Sequence, residues 1–228
     1  MADIEMGYWK IRGLGAPVRM LLEYAQAKYK ERQYETGDDW FGGRKPELLK
    51  MNPLANLPYV VDGDRCVCQS NAVLMYLGEK FGLDGTDKAL KVRTQELLAE
   101  IFDVRNGMID LVYPGAGVCR NQQEFESKAK ATLADPPFAK FESCLKFYGG
   151  EWFVLADGPG VADFPIWEML DQFRMLAEKL GQPPVLDKFP LCKAFYERFR
   201  ALPTLQAYFV SPAYKLDVNN KYANVYFL

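Results

Sequence analysis

The order of strand and helix patterns along the chain is the feature that most limits its fold. Two strand-like segments, Ile4–Trp9 and Tyr29–Tyr34, enclose residues 18–27, where apolar side chains recur at helical spacing. A hairpin pattern with an Asp-Gly turn follows over residues 59–68, and a helix capped by Ser70 is predicted to end near Phe81. This βαβ, loop, ββα order predicts a compact α/β domain of about 80 residues.

Two short stretches of this domain have weaker patterns. Residues 36–44 are polar and contain glycine, which predicts a loop, and residues 46–51 predict a short helix. Gly13-x-Gly15 lies between the first strand and the first helix and matches half of a dinucleotide-binding fingerprint. Because Val18 occupies the third glycine position, an ordinary strand-to-helix turn is the preferred interpretation.

The rest of the chain shows only helical patterns. After a polar connector at residues 82–87, helices are predicted over residues 90–113, 122–148 with a break at Pro136-Pro137, 162–180 and 190–201. The predicted architecture is therefore an α/β domain over residues 1–83, followed by an all-helical domain over residues 90–228.

Composition removes several classes of function. The 228 residues contain no histidine, which excludes Ser-His-Asp triads, Cys-His pairs and the usual histidine-containing zinc sites. Lys plus Arg number 28 against 30 for Asp plus Glu, so the basic excess of a nucleic-acid binder is lacking. The chemistry must come from Tyr, Cys, acidic, basic or backbone groups.

The cysteines predict a reducing compartment. There are five, an odd number, and they include no Cys-x-x-Cys motif: Cys66, Cys68, Cys119, Cys144 and Cys192. The one close pair, Cys66 and Cys68, is interpreted as packing on one strand face. The acidic first five residues and the lack of any apolar run near about 18 residues predict a cytoplasmic protein with no membrane partner.

Three motifs have both a structural and a functional interpretation. Gln69-Ser70-Asn71 opens a helix, where a hydroxyl and backbone N–H groups suit a carboxylate. Pro58 precedes a strand and marks either a turn or a cis bond that presents its neighbour's backbone to an extended ligand. Tyr8 and Trp9 end the first strand, where aromatic residues serve the core or present a hydroxyl to a cleft.

These motifs together resemble one family. Residues 7–14 (GYWKIRGL), 19–24 (RMLLEY), 56–59 (NLPY) and 69–72 (QSNA) resemble mu-class glutathione S-transferases. In the helical part Asp103-Val104-Arg105, Tyr113 and Ala162-Asp163-Phe164 are similar to family motifs in the same order, so the resemblance covers nearly the whole chain, although residues 214–228 match no family motif.

The resemblance implies a fold and an activity. The fold is a thioredoxin-like N-terminal domain with a helical-bundle C-terminal domain, assembled as a homodimer. The activity is conjugation of the glutathione thiolate to small hydrophobic electrophiles, as in detoxification, with glutathione as co-substrate and no metal. Two alternatives on the same fold stay open, a low-turnover carrier of hydrophobic ligands and a glutathione-dependent isomerase. A cysteine-based transferase is disfavoured, because its relatives have Cys where this chain has Tyr8.

The resemblance also assigns residues. Tyr8 is the catalytic residue, whose hydroxyl donates a hydrogen bond to the thiolate. Gln69 and Ser70 bind the γ-glutamyl carboxylate, and Asp103 reaches the γ-glutamyl amine across the dimer. The full glutathione-binding set is Tyr8, Trp9, Leu14, Trp40, Lys45, Asn56, Leu57, Pro58, Gln69, Ser70 and Asp103, and the electrophile set is Leu14, Met108, Ile109 and Tyr113.

Within that set, the backbone of Leu57 pairs with the cysteinyl part, and Trp40 and Lys45 bind the glycyl carboxylate, with Arg44 as the alternative to Lys45. Two positions depart from the family pattern. Leu54 occupies the place of an aromatic dimer contact, and Gly160 the place of a Ser or Thr helix cap.

Overall fold

A computed structural model describes residues 4–113, 119–223 and 227. The first three of the five N-terminal residues predicted not to form a signal peptide, and residues 224–226 and 228 of the unmatched tail, lie outside the described residues. The chain forms two compact units. The first contains the residues up to Asp84 together with Pro203–Asn220, and the second contains Gly85–Leu202 and the residues after Asn220.

The first unit is built on a four-stranded mixed sheet of β1 (Ile4–Trp9), β2 (Tyr29–Tyr34), β3 (Tyr59–Asp62) and β4 (Arg65–Cys68). The spatial order is β2-β1-β3-β4, with β1 and β2 parallel and the other two pairs antiparallel. Each strand begins at the predicted residue. This arrangement is the predicted thioredoxin-like sheet, and it places the end of β1 between two neighbours.

The helices of this unit begin at positions that differ from some predictions. Helix α1 spans Gly15–Tyr24, α2 Lys45–Leu48 and α3 Ser70–Phe81. The prediction of Ser70 as the cap of α3 is wrong, because Gln69 holds the cap position and makes no side-chain capping hydrogen bond. Ser70 is instead the first helical residue.

The predicted loop at residues 36–44 is wrong in its second half. Asp39–Arg44 forms a π-helix that runs directly into α2. The cause is Trp40, whose side chain is only 1% exposed and fills the centre of an aromatic cluster. The cluster contains Tyr34, Trp40, Leu48, Ala55, Tyr59, Cys66 and Cys68. Burial of one large side chain therefore ordered a segment that is otherwise polar.

The second unit is helical, as predicted. It contains α4 (Lys88–Val112), α5 (Gln122–Ala134), α6 (Ala139–Tyr148), α7 (Asp163–Lys179) and α8 (Pro190–Arg200). The break between α5 and α6 falls at the proline pair. None of the described helices is long and apolar enough to cross a membrane.

The start of α7 is fixed by a buried carboxylate. Asp163 Oδ1 accepts a hydrogen bond from the Phe153 N–H at 3.2 Å, and Oδ2 accepts one from the Gly160 N–H at 2.9 Å. Complete burial raises the pKa of Asp163 to about 7, although these two backbone donors act to lower it. Gly160, where the resemblance predicts a Ser or Thr cap, contributes its backbone N–H to this start.

The chain then returns to the first unit. The return segment, residues 203–220, contains a 3₁₀ turn at Pro203–Leu205, which packs against α1, and helix α9 (Gln206–Val210). Leu205, Tyr208 and Phe209 are buried. The division predicted from sequence assigned this segment to the helical domain, because residue spacing gives no sign of which core an apolar segment joins.

Candidate functional site

Tyr8 lies near the end of β1, and its side chain is 5% exposed. Its hydroxyl oxygen accepts a hydrogen bond from the Leu14 N–H at 3.0 Å. Gly13 has φ +38°, and a Cβ atom there would lie 2.8 Å from this oxygen. A Cβ atom at Gly15 would lie 2.6 Å from Tyr8 Cδ1. The two glycines therefore leave room for the Tyr8 ring, which explains them without a dinucleotide.

The buried side chain of Arg19 stabilises the turn between β1 and α1 through hydrogen bonds to its backbone. Its guanidinium is fully buried and donates to the carbonyl oxygens of Ile11 at 2.8 Å and Trp9 at 3.4 Å. Its Nε donates to Glu31 on β2 at 2.6 Å. Sequence reasoning gave Arg19 no role, although a lone arginine within an apolar helix stripe is the signal that could have found it.

The backbone before β3 has the predicted geometry. The Leu57–Pro58 peptide bond is cis. Pro58 is buried, Leu57 is half-buried and Asn56 is exposed. The backbone of Leu57 thus stands at the point where the chain enters β3, next to β1 in the sheet.

Gln69 and Ser70 form the start of α3. Gln69 is exposed and has φ +73° and ψ 123°, a conformation that residues with a Cβ atom rarely adopt. Ser70 is buried, and no acidic residue occupies the first turn. First-turn N–H groups lack acceptors within their own helix, and the helix dipole favours an anion there. The arrangement suits a carboxylate.

Lys45 and Arg44 are adjacent but differ in their partners. Arg44 donates to Glu5 at 2.9 Å and to Glu47 at 2.5 Å. Lys45 Nζ lies 5.2 Å from the Phe41 ring centroid and 6.0 Å from that of Trp40, and it makes no ion pair with any residue in the described ranges. Of the two, only Lys45 can bind a new carboxylate without breaking an ion pair.

Glu5 connects Arg44 to the sheet. Its carboxylate also accepts from Arg32 at 2.8 Å and from the Tyr59 hydroxyl at 2.8 Å. Partial burial acts to raise the pKa of Glu5, but the hydrogen bonds from Arg32 and Tyr59 and the charge of Arg44 outweigh it, so the pKa lies below its usual value. Sequence reasoning did not find this network, because its members come from three strands and the π-helix.

The predicted residues of the second unit lie on or directly after α4. Asp103 is exposed, Met108 is buried and Ile109 is half-buried. Tyr113 ends the helix, and its N–H donates to the Ile109 carbonyl at 2.9 Å. Leu14, the fourth member of the electrophile set, belongs to the first unit, so the grouping of the four remains a prediction.

The close cysteine pair packs within the aromatic cluster. Cys66 Sγ and Cys68 Sγ lie 3.7 Å apart on one face of β4, and all five cysteines are free thiols. Burial and the neighbouring Cys68 raise the pKa of Cys66 to about 12, which leaves little thiolate at neutral pH. In the described part of the chain, no three His, Cys, Asp or Glu side chains are grouped to hold a metal ion.

Comparisons with known proteins agree with this description. Residues 4–79 match the family model for the glutathione S-transferase N-terminal domain, and residues 103–212 match that for the C-terminal domain. The chain is 34% identical over 213 residues to glutathione S-transferase Mu 1 of Mus musculus, covering 92% of this chain and 91% of that protein. It is 35% identical over 211 residues to Mu 1 of Oryctolagus cuniculus, covering 90% of each.

Two solved structures have the same fold. The glutathione S-transferase Blo t 8 superposes with a TM-score of 0.83 at 27% identity, covering 97% of this chain and 99% of that one. The Pi-class glutathione S-transferase of Onchocerca volvulus superposes with a TM-score of 0.80 at 26% identity, covering 96% of this chain and 99% of that one. The fold is thus a thioredoxin-like domain followed by a helical domain. The chain belongs to the glutathione S-transferase family.

Proposed function

We propose that this chain conjugates glutathione to small hydrophobic electrophiles, with the Tyr8 hydroxyl stabilising the glutathione thiolate. The hydrogen bond from the Leu14 N–H to the Tyr8 oxygen is the observation that supports this role most directly. A phenol has one O–H donor and accepts through its lone pairs. Because the Leu14 N–H donates to a lone pair of the Tyr8 oxygen, the O–H of Tyr8 is oriented to donate to a second group.

The energetic requirement is modest. A free thiol has a pKa near 8.5, so only a few per cent is ionised at neutral pH. A hydrogen bond to the charged sulfur favours the thiolate, and each unit by which the pKa falls corresponds to about 1.4 kcal/mol. One well-placed donor in a largely buried setting is of the right strength, and it needs neither histidine nor metal.

The rest of the first unit supports the placement of glutathione. The start of α3 at Gln69 and Ser70 suits the γ-glutamyl carboxylate, and the backbone of Leu57 before its cis proline suits an extended peptide. We assign the glycyl carboxylate to Lys45, because Arg44 is already paired with Glu5 and Glu47. Trp40 then supports Lys45 through its ring, and Trp9 and Asn56 remain as predicted contacts.

We further propose a homodimer. The first unit exposes four large apolar side chains within fourteen positions of sequence: Phe41, Leu49, Met51 and Leu54. Exposed apolar groups so close together are typical of an interface between subunits. In such a dimer, the exposed carboxylate of Asp103 would be available to the glutathione amine bound by the other subunit.

The test is the initial rate of conjugation between glutathione and a nitro-activated aryl chloride, for wild type and Tyr8→Phe. We expect Tyr8→Phe to lower kcat by about 100-fold and to raise the pKa of the bound thiol, read from thiolate ultraviolet absorbance, while glutathione affinity changes little. Tyr34→Phe is the matched control, since it removes a buried tyrosine hydroxyl that bonds Tyr59 in the same unit. An unchanged thiol pKa in Tyr8→Phe would reject the role of Tyr8.

A further inference from the structure

The turn between β1 and α1 uses three consecutive backbone donors. The Arg12 N–H donates to the Asp217 carbonyl at 2.8 Å, and the Gly13 N–H donates to the Val218 carbonyl at 3.0 Å. The next N–H, that of Leu14, donates to the Tyr8 hydroxyl oxygen at 3.0 Å. Two of the three donors are thus satisfied by the return segment, and the third by Tyr8.

A side-chain contact reinforces the two backbone bonds. The Arg12 guanidinium carbon lies 4.6 Å from the centroid of the Tyr214 ring, and Arg12 is 1% exposed. A guanidinium over an aromatic face is attracted to the ring, and the attraction is stronger when water is excluded. Tyr214 therefore restrains the residue whose own N–H begins the series of donors.

Tyr214 is itself held in place. Its ring lies 5.4 Å from that of Phe209 and 5.9 Å from that of Tyr208, both of which are buried residues of α9. Its N–H donates to Ser211 Oγ at 3.4 Å. Since the 3₁₀ turn before α9 packs on α1, the return segment is anchored to α1 at one end and to the β1–α1 turn at the other.

We infer that residues 214–218 of the return segment position Tyr8, by holding the β1–α1 turn in the conformation that aims the Leu14 N–H at the tyrosine oxygen. The inference rests on the role proposed for Tyr8. A donor to the phenol oxygen fixes that oxygen and, through cooperativity, strengthens the bond that the phenol donates onward. Tyr214 and Arg12 are positioning residues that act through Tyr8.

The experiment removes the Tyr214 ring and measures the pKa of the bound glutathione thiol. We expect Tyr214→Ala to raise the pKa of the bound glutathione thiol by about one pH unit and to shift the pH profile of kcat/KM by the same amount. The kcat at neutral pH should fall about tenfold. The KM for glutathione should change much less. Tyr214→Phe keeps the ring over Arg12, so it should restore the wild-type profile.

A double-mutant cycle separates this inference from the proposed function. If Tyr214 acts through Tyr8, Tyr214→Ala will have no further effect on the thiol pKa in a Tyr8→Phe background. If Tyr8→Phe alone leaves the thiol pKa unchanged, the proposed role of Tyr8 fails. If Tyr8→Phe raises that pKa but Tyr214→Ala does not, only the positioning role fails.

Two further variants keep the outcome decisive. Tyr148→Ala in the second unit also removes a tyrosine ring stacked on an arginine, with Arg93 3.2 Å from the ring centroid, and should leave the pH profile unchanged. If Tyr214→Ala does not fold, Arg12→Lys tests the same contact, because lysine keeps the charge but lacks the planar fork. A wild-type pH profile in folded Arg12→Lys would then overturn the inference.

Discussion

At the scale of single residues, the backbone conformation of Gln69 favours glycine, whereas its proposed function requires a side chain. Its φ of +73° and ψ of 123° fit glycine far better than a residue with a side chain. Such a conformation costs about 1–3 kcal/mol and persists only where the surroundings impose it. Gln69 is also the residue proposed to bind the γ-glutamyl carboxylate through its side chain. That binding role explains why glycine, which would remove the strain, does not occupy this position.

Replacing Gln69 with glycine separates the two contributions. Gln69→Gly relieves the strain but removes the amide, so we expect the free energy of unfolding to stay level or rise by about 1 kcal/mol, while the Kd for glutathione rises about tenfold. Urea unfolding and titration calorimetry measure the two effects. Gln26→Gly is the control, because Gln26 also has a positive φ, of 51°, at the end of α1. If glutathione binds equally well to Gln69→Gly, the contact assigned to Gln69 does not exist.

At the scale of elements, helix starts in this chain depend on groups that spacing alone does not identify. Helix α3 begins without a side-chain cap, whereas α7 begins with Asp163 accepting from two backbone donors. The π-helix at Asp39–Arg44 forms around the buried Trp40 ring. In the last two cases a buried side chain, Asp163 or Trp40, fixes the position of the helix.

The carboxylate of Asp163 gives α7 a pH-dependent stability. Its pKa is raised to about 7, so between about pH 4 and pH 7 the native carboxyl keeps a proton that the unfolded chain has released. The stability due to this group therefore falls as the pH rises through that range and is level above it. Asp163→Asn cannot titrate, and its amide faces one of the two N–H donors, which costs about 1–3 kcal/mol.

The measurement is urea unfolding of wild type and Asp163→Asn at several pH values from about 5 to about 8. We expect the free energy of unfolding of wild type to exceed that of Asp163→Asn most at the acid end. This difference between the two proteins should shrink as the pH rises toward neutrality. Asp157→Asn, an exposed change of the same charge in the same loop, should track wild type throughout. A difference that widens as the pH rises would contradict the raised pKa.

At the scale of the whole molecule, the proposed homodimer depends on the apolar surface of the first unit. Leu54 is 68% exposed and follows an Asx turn in which its N–H donates to Asn52 Oδ1 at 2.9 Å. A leucine held on a defined turn presents an apolar group at little further entropic cost. In the proposed dimer, a leucine in place of an aromatic residue would make this contact smaller and keep it apolar.

Leu54→Asp tests this surface. Placing a charge in an apolar interface should raise the dimer Kd by at least about tenfold. We therefore expect wild type to sediment with twice the monomer mass and the variant, at the same concentration, to sediment as a monomer. Phe147→Asp is the control, because Phe147 is an equally conspicuous apolar side chain, 81% exposed, in the second unit. Should Phe147→Asp dissociate the dimer and Leu54→Asp not, the interface lies elsewhere.

The sequence by itself determined the four strands and the five helices α4–α8 of the second unit, and its resemblance to a family predicts the residues of the candidate site. Strand alternation and helical spacing are local properties, so they are present in the order of residues before any packing occurs. The site residues stand at element ends, such as Tyr8 near the end of β1 and Ser70 at the start of α3, where turn residues mark them.

The tertiary structure alone decided the contacts between distant segments. The burial of Trp40, the pairing of Arg44 with Glu5 and the bonds from Arg12 and Gly13 to the return segment join residues that are far apart in sequence or hidden in polar surroundings. Packing free energy and the need to satisfy buried polar groups depend on which segments share a core. No local pattern records that choice, so the reason for preferring Lys45, which is that Arg44 is already paired with Glu5 and Glu47, and the contacts behind the role proposed for residues 214–218 emerge only once the chain is folded.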